Sequence, residues 1–313
     1  MPSAHARSAP AHGDPSPSSG ESWAGPPAWR SVFIHLRLHF QLLLAPVFLW
    51  GWLLGGGGFG WSIVLAFVAM HLFLYTGATA FNSYYDRDEG PIGGLAHPPP
   101  VVPALLPVSL ALKVLGLLLA LLVNPLFALL YAGFALLSVA YSHPRLRWKA
   151  DPWASLATVG FGQGVLAFLA AWAAVTGELD SAASVDGILG AVAAALLILA
   201  LYPLTQLYQV DEDRARGDRT IAVVGGAPVC FVFSLLCLVI GGSAMLLVLG
   251  RRFGVADALL VALAILGQAI AVAWWAGHFE PNAILANYRR VSVLNRAGAL
   301  LLGVYLVARL TLR

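Results

Sequence analysis

Charge is what this chain has least of. Only 11% of its 313 residues are Asp, Glu, Lys or Arg, against about 25% in a soluble domain, and 59% are apolar. That excludes an ordinary soluble protein and leaves a polytopic membrane protein. Cysteine is nearly absent as well. Cys230 and Cys237 both lie inside an apolar run, which argues against a disulfide framework and a cysteine-based metal site. Nor is there a strong excess of one sign: the formal net charge is +3, spread over several connections, so no nucleic-acid partner is expected. Residues 1–30 lack hydrophobic periodicity and are rich in Pro, Ser, Gly and Ala. They read as a disordered cytoplasmic tail ahead of a polytopic membrane domain, 31–313. No cleavable signal is apparent, because the first long apolar run begins only after Arg30.

What is present in abundance is long hydrophobic segments. A helix crossing a bilayer core takes about 20 apolar residues. Segments of that kind fall near 31–54, 59–81, 105–123, 125–142, 152–176, 186–208, 226–249, 256–276 and 294–312. The expected fold is therefore all-α, with about nine spans. Alternating the connections collects Arg7, Arg30, Arg87, Arg145, Arg147, Lys149, Arg214, Arg216, Arg219, Arg289, Arg290 and Arg296 on one side. The other side keeps Arg251, Arg252 and Arg313. The positive-inside rule makes the first side cytoplasmic, with the amino terminus in and the carboxyl terminus out. The long polar connections, 82–104, 143–151, 209–225 and 277–293, fall on that side too, so chemistry is expected on that face. A multi-pass membrane protein of this orientation, in the cell inner membrane if bacterial, is the expected setting.

Two acidic patches stand out against this greasy background. The first, FNSYYDRDEG at 81–90, ends the second span. Its Asn82 and Asp86 are four residues apart and share one helix face, with Glu89 and Gly90 about two turns on. Asp88 would point elsewhere unless the helix has unwound, which the following GPIGG makes plausible. The second patch, QLYQVDEDRARGDRT at 206–220, repeats the spacing with Gln209 and Asp213, and holds Asp211 and Glu212 between them. Oxygen ligands of this kind suit Mg²⁺, which takes one or two carboxylates and leaves other positions to water and phosphate. Either patch alone reads as a solvated helix end. Two of them, on one side of a barely charged protein, point to function, and together they could clamp a diphosphate through metal.

With these patches and three further stretches the chain resembles the UbiA superfamily of intramembrane prenyltransferases. Asn82-Ser-Tyr-Tyr-Asp86 and Asp211-Glu-Asp-Arg-Ala-Arg-Gly-Asp-Arg-Thr220 resemble its paired aspartate-rich motifs. Tyr141-Ser-His-Pro-Arg-Leu-Arg-Trp-Lys149 is similar to its Tyr-Ser-x-Pro-Pro-x-x-x-Lys loop, best known in members related to chlorophyll synthase. Arg37 followed by Pro46 resembles its first helix, and Asn287-Tyr-Arg-Arg with Asn295 its last cytoplasmic loop. The resemblance implies a ring of nine helices around a central cavity, closed by cytoplasmic loops. It also implies two Mg²⁺ ions holding a polyprenyl diphosphate, whose ionisation yields an allylic cation captured by an aromatic or other lipophilic acceptor. On this basis Asn82, Asp86, Asp213 and Tyr141 are expected to be catalytic. Arg37, Ser142, Arg147, Lys149 and Arg219 are expected on the diphosphate. Asn82, Asp86, Asp88, Glu89, Gln209, Asp211 and Asp213 are the candidate metal ligands. The family pattern runs Asn-x-x-x-Asp-x-x-x-Asp and then Asp-x-x-x-Asp; here Gly90 ends the first motif and Gln209 begins the second. The loop after the first motif, GGLAHPPPVVPALLP, also lacks the arginine that many members carry.

Other polar or small residues in the spans have plainer readings. Snorkelling to the interface is the duller alternative for Arg37, and a topology signal for Arg147, Lys149 and Arg219. His71 and Gln163 are expected to bond within the bundle, Trp274 and Trp275 to form an interfacial belt, and Gly160, Gly162 and Gly164 to permit close helix packing. A terpene cyclase on the same scaffold is the alternative enzyme, in which the chain's own double bonds capture the cation. An ion-coupled transporter is the third reading. It fits less well, because transporter sites lie near the midplane within internal repeats, whereas these acids cluster at helix ends.

Overall fold

The computed structural model describes residues 27–312. Among them nine helices are long and apolar enough to cross a membrane. We label them α1 (Ala28–Leu54), α2 (Trp61–Asp86), α3 (Leu105–Val123), α4 (Pro125–Ser142), α5 (Pro152–Thr176), α6 (Val185–Gln206), α7 (Ile221–Arg252), α8 (Val255–Gly277) and α9 (Ile284–Thr311). Most of the tail expected over 1–30 lies outside the described residues; its last three positions, Ala28 to Arg30, are already helical. The expected boundaries are otherwise closest where a helix-capping side chain ends the apolar run. Asn124, Asp151 and Ser184 each accept backbone N–H bonds at the first turn of α4, α5 and α6, which satisfies donors a helix start leaves open. Three corrections are large. α7 starts at Ile221 rather than 226, with Gly226 (φ 70°) breaking it after its first turns. α2 runs to Asp86 rather than 81, and α9 starts at Ile284 rather than 294. Polar residues there continue a helix whose outer turns project beyond the apolar layer.

Consecutive helices pack against one another around the chain, and α9 returns to α1, which closes the ring. At one end the ring is plugged: Ala45–Leu54 of α1 packs on Ala167–Thr176 of α5. Gly51 lies against the Phe168 carbonyl with no room for a Cβ. Trp50, Trp172, Phe48, Phe168, Phe127 and Tyr131 are fully buried in the main core. The outward faces stay apolar, as Leu259, Leu263, Leu266 and Ile270 of α8 illustrate, which is what a helix facing lipid tails requires.

His71 stacks on Phe67 at 4.0 Å and shares a hydrogen bond with its carbonyl, so it is bonded within the bundle. Gly160, Gly162 and Gly164 are buried in a π-helical segment of α5, and Gly164 is pressed against the backbone of Ala195 in α6. The aromatic pair splits: Trp274 is exposed, while Trp275 is buried and donates to Asn287 at 3.3 Å.

Opposite the plug, three connections fold over the ring. The stretch 87–104 is pinned to α1 by Ser31, which donates to the Pro100 carbonyl at 2.6 Å, and by His35 on the Pro99 carbonyl at 2.9 Å. Connection 143–151 meets connection 207–220 through the Arg219 N–H, which donates to the Ala150 carbonyl at 2.8 Å. The polar end of the molecule is thus a cover assembled from segments distant in sequence.

Candidate active site

α2 ends at Asp86 because Arg87 adopts the left-handed conformation, φ 52°. That turn reverses the chain, so Asp88 faces back towards Asp86 and is only 4% exposed at its side chain. Continued helix would have carried it to another face. The second patch has the same design. A short helix, Val210–Ala215, stops before Gly217, φ 77°, and the chain returns with Asp218 and Thr220 buried beside Asp213. A left-handed turn costs a non-glycine residue about 1–2 kcal/mol. Gly217 avoids this, whereas Arg37, Arg87 and Arg147 bear it.

Between the patches lies a cavity of about 100 Å³, walled by Asn82, Asp86, Asp88, Tyr141, Lys149, Tyr202, Gln209, Asp213, Arg216 and Asp218 among others. Its carboxylates are all paired. Asp86 is in contact with Lys149 and lies 3.9 Å from Arg147. Arg147 grips both oxygens of Asp218 at 2.8 Å each. Arg216 donates to Asp88 at 2.5 Å and to Asp213 at 2.7 Å, and its Nε is 3.5 Å from Asp218. Thr220 donates to the other oxygen of Asp213 at 3.2 Å. Ser142 donates to Asn82 Oδ1 at 2.9 Å, and the hydroxyls of Tyr141 and Tyr202 are 2.8 Å apart.

Burial raises the pKa of Asp213, with Arg216 and Thr220 pulling the other way. The hydrogen bonds to Asp218 raise that of Arg147. Burial alone would lower that of Arg216, but Asp88 and Asp213 outweigh it and raise it. These arginines stay charged, and the site is a nearly balanced set of four carboxylates and three cations.

The expected residues divide accordingly. Asn82, Asp86, Asp88, Tyr141, Lys149, Gln209 and Asp213 line the cavity, and Ser142 and Arg147 bond to groups that do. Glu89 is exposed and is not in the lining. Asp211 is 84% exposed and pairs only with Arg214, at 3.2 Å. Arg219 is exposed too, and its backbone rather than its side chain is engaged. Arg37 is buried behind the first patch. It donates to the carbonyls of Gly93 and Thr79 at 2.9 Å each and to Ser83 Oγ at 3.1 Å, so it fixes backbone and does not face the cavity.

Sequence reasoning missed Arg216, Asp218, Thr220 and Tyr202. The first three lie in the stretch Asp211–Thr220 that carries the resemblance, and a glycine at the helix end followed by polar residues was the signal that they return towards the patch.

Among the described residues, no three His, Cys, Asp or Glu side chains converge closely enough to hold a metal ion by themselves. The donors present, carboxylates plus the amide oxygens of Asn82 and Gln209, are hard oxygens. That chemistry fits Mg²⁺, which completes its shell with water and substrate oxygens.

A second cavity, of about 660 Å³, lies among α1, α6, α7, α8 and α9. Phe40, Trp50, Leu201, Leu238 and Ile265 line it, with Gln268 and Asn295 as its amides. Leu201 borders this apolar space and Tyr202 the polar one, so α6 walls both.

Comparison with known proteins agrees with this architecture. No curated protein sequence matches the chain. Several solved structures share its fold. A UbiA homologue from Archaeoglobus fulgidus bound to GPP and Mg²⁺ superposes with a TM-score of 0.64 at 20% identity, over 87% of this chain and 99% of that one. The apo UbiA homologue from Aeropyrum pernix K1 gives 0.64 at 19% identity, over 86% and 97%. A structure described as digeranylgeranylglyceryl phosphate synthase gives 0.61 at 16%, over 91% and 99%. The model of the UbiA prenyltransferase family matches residues 43–286. With that match spanning most of its length, and with nine helices ringed around a carboxylate-lined end, the chain belongs to the UbiA prenyltransferase family.

Proposed function

We propose that this protein is a Mg²⁺-dependent intramembrane prenyltransferase acting on a polyprenyl diphosphate and a lipophilic, often aromatic, acceptor. The observation that carries the reading is the juxtaposition of two unlike cavities on α6, a charged one at the helix ends and an apolar one within the ring. A prenyl diphosphate has the same two-part chemistry. The Archaeoglobus homologue binds GPP and Mg²⁺ in one structure and DMAPP and Mg²⁺ in another, which supports assigning that class of substrate here.

Asn82, Asp86 and Gln209 are the residues that would hold the ion, with Asp88 and Asp213 beside them in the same lining. When bound, Mg²⁺ neutralises charge on the diphosphate as it leaves. Lys149 and Arg147 take part of that charge directly, by exchanging carboxylate for phosphate oxygens. The allylic C–O bond breaks with its electron pair going to the diphosphate. The apolar cavity keeps water from the resulting cation, which an aromatic acceptor captures before losing a ring proton. Glu89, Asp211 and Arg219 have no part in this arrangement, and Arg37 holds the cover in place.

Incubating purified protein with Mg²⁺, prenyl diphosphates of several lengths and candidate acceptors, then identifying products by mass, tests the reading. A prenylated acceptor is the expected result. A cyclic hydrocarbon or alcohol formed without acceptor would assign the protein to cyclisation instead. We also propose that the charged end faces the cytoplasm, on the distribution of Arg and Lys. A reporter fused behind α9 should then be active only outside the cytoplasm.

A further inference from the structure

Arg216, which by sequence is one of the basic residues that mark the cytoplasmic side, is the most heavily engaged cation of the site. All three of its guanidinium nitrogens lie against carboxylates: Asp88 at 2.5 Å, Asp213 at 2.7 Å and Asp218 at 3.5 Å. One of these belongs to the first patch and two to the second. A single positive group thus bridges the two patches. The other oxygens of these two second-patch carboxylates are also engaged, Asp213 by Thr220 and Asp218 by Arg147. Asn82 and Asp86 of the first patch, and Gln209 of the second, line the cavity without contact to Arg216; Asn82 accepts from Ser142 and Asp86 pairs with Lys149. Without a cation between them, Asp88, Asp213 and Asp218 would repel one another in a partly desolvated setting.

We propose that Arg216 is a resident cation standing in place of one divalent ion, so that the site binds its diphosphate with a single ion held on the Asn82–Asp86 side. The inference rests on the reading of the site as a Mg²⁺-dependent diphosphate site. It makes Arg216 a positioning residue: it aligns Asp88, Asp213 and Asp218 and sets the number of ions. Asp218 belongs to the same device, because it holds Arg216 and Arg147 side by side against their mutual repulsion.

The test counts ions and does not depend on turnover. Mn²⁺ binding to the detergent-solubilised full chain is measured by electron paramagnetic resonance in the presence of inorganic pyrophosphate. The wild type and Arg216→Lys should each take up one Mn²⁺ per chain, and Arg216→Ala two. Arg216→Gln, which retains a polar side chain of similar length, serves as the second charge-neutral variant if Arg216→Ala fails to fold. Two ions in the wild type would overturn the proposal and leave the prenyltransferase reading standing. One ion in the wild type and in the folded neutral variants would also overturn it, because Arg216 would then not be what limits the count. No Mn²⁺ in any variant would remove the metal-dependent reading, and this inference with it.

Discussion

The backbone N–H of Gly90 donates to Glu212 Oε1 at 2.6 Å, joining the two acidic patches across 122 residues of sequence. The contact falls at the position where the resembled motif has its last aspartate. A Cβ there would come 2.8 Å from the same carboxylate oxygen, and an aspartate would set two carboxylates against each other. Gly90→Asp, which superficially restores the family pattern, is therefore expected to lower the rate roughly tenfold or more, the equivalent of about 1.4 kcal/mol in the barrier. Glu212→Gln retains an acceptor and should stay close to wild type. Initial rates of diphosphate release for the two variants check this, and a fully active Gly90→Asp would refute it.

Asp86 and Lys149 form a buried pair, and each has a second task in the proposed chemistry. Asp86→Asn and Lys149→Met should each slow turnover on the order of a hundredfold, the scale for losing one preorganised electrostatic group. Asp86→Asn leaves a buried ammonium without its partner, which costs about 3–5 kcal/mol. The double variant removes both charges and should regain stability without regaining activity. Thermal unfolding in detergent, set beside rates, separates the two effects; recovery of rate in the double variant would count against a catalytic part for the pair.

Gln209 lines the cavity, and Asp211 is a solvent-exposed residue paired with Arg214. An amide oxygen offers Mg²⁺ a dipole, whereas a carboxylate offers a net charge. Gln209→Asp should therefore lower the Mg²⁺ concentration for half-maximal rate, and Asp211→Asn should leave it unchanged. Mg²⁺ titrations of both decide between them. A severe effect of Asp211→Asn would mean that the short helix shifts on binding.

Arg37 holds three acceptors from α2 and the covering loop. Arg37→Met takes the donor from the Gly93 carbonyl and the Ser83 hydroxyl, at about 1–3 kcal/mol each, while the Thr79 carbonyl keeps its bond within the helix. The expected outcome is a lower melting temperature and faster proteolysis within 87–104. If the variant keeps wild-type stability but loses substrate affinity, Arg37 reaches the diphosphate after all.

The number of spans and the end of the bundle that gathers the acidic residues were legible in the sequence. Hydropathy is a local property summed over about 20 residues, and a cluster of acids in so apolar a chain has few places to go. The i, i+4 spacing of Asn82 and Asp86 was equally readable, because one helix decides it, and both do line the cavity. Beyond a helix end this logic failed. Whether Asp88 and Asp218 turn inward, and Glu89 outward, depended on left-handed turns at Arg87 and Gly217, while Asp211 faces outward from the short helix ahead of the second turn. The bridge from Arg216 to Asp88 spans 128 residues, and nothing in its own segment distinguishes it from a loop arginine. Arg37 read as a ligand group for the same reason: its neutral partners lie on α2 and on a distant loop. Local pattern determined which residues were polar and on which helix face they began. Only the packing of the ring and its cover decided which charges meet, because pairing energy depends on distances that no single segment contains.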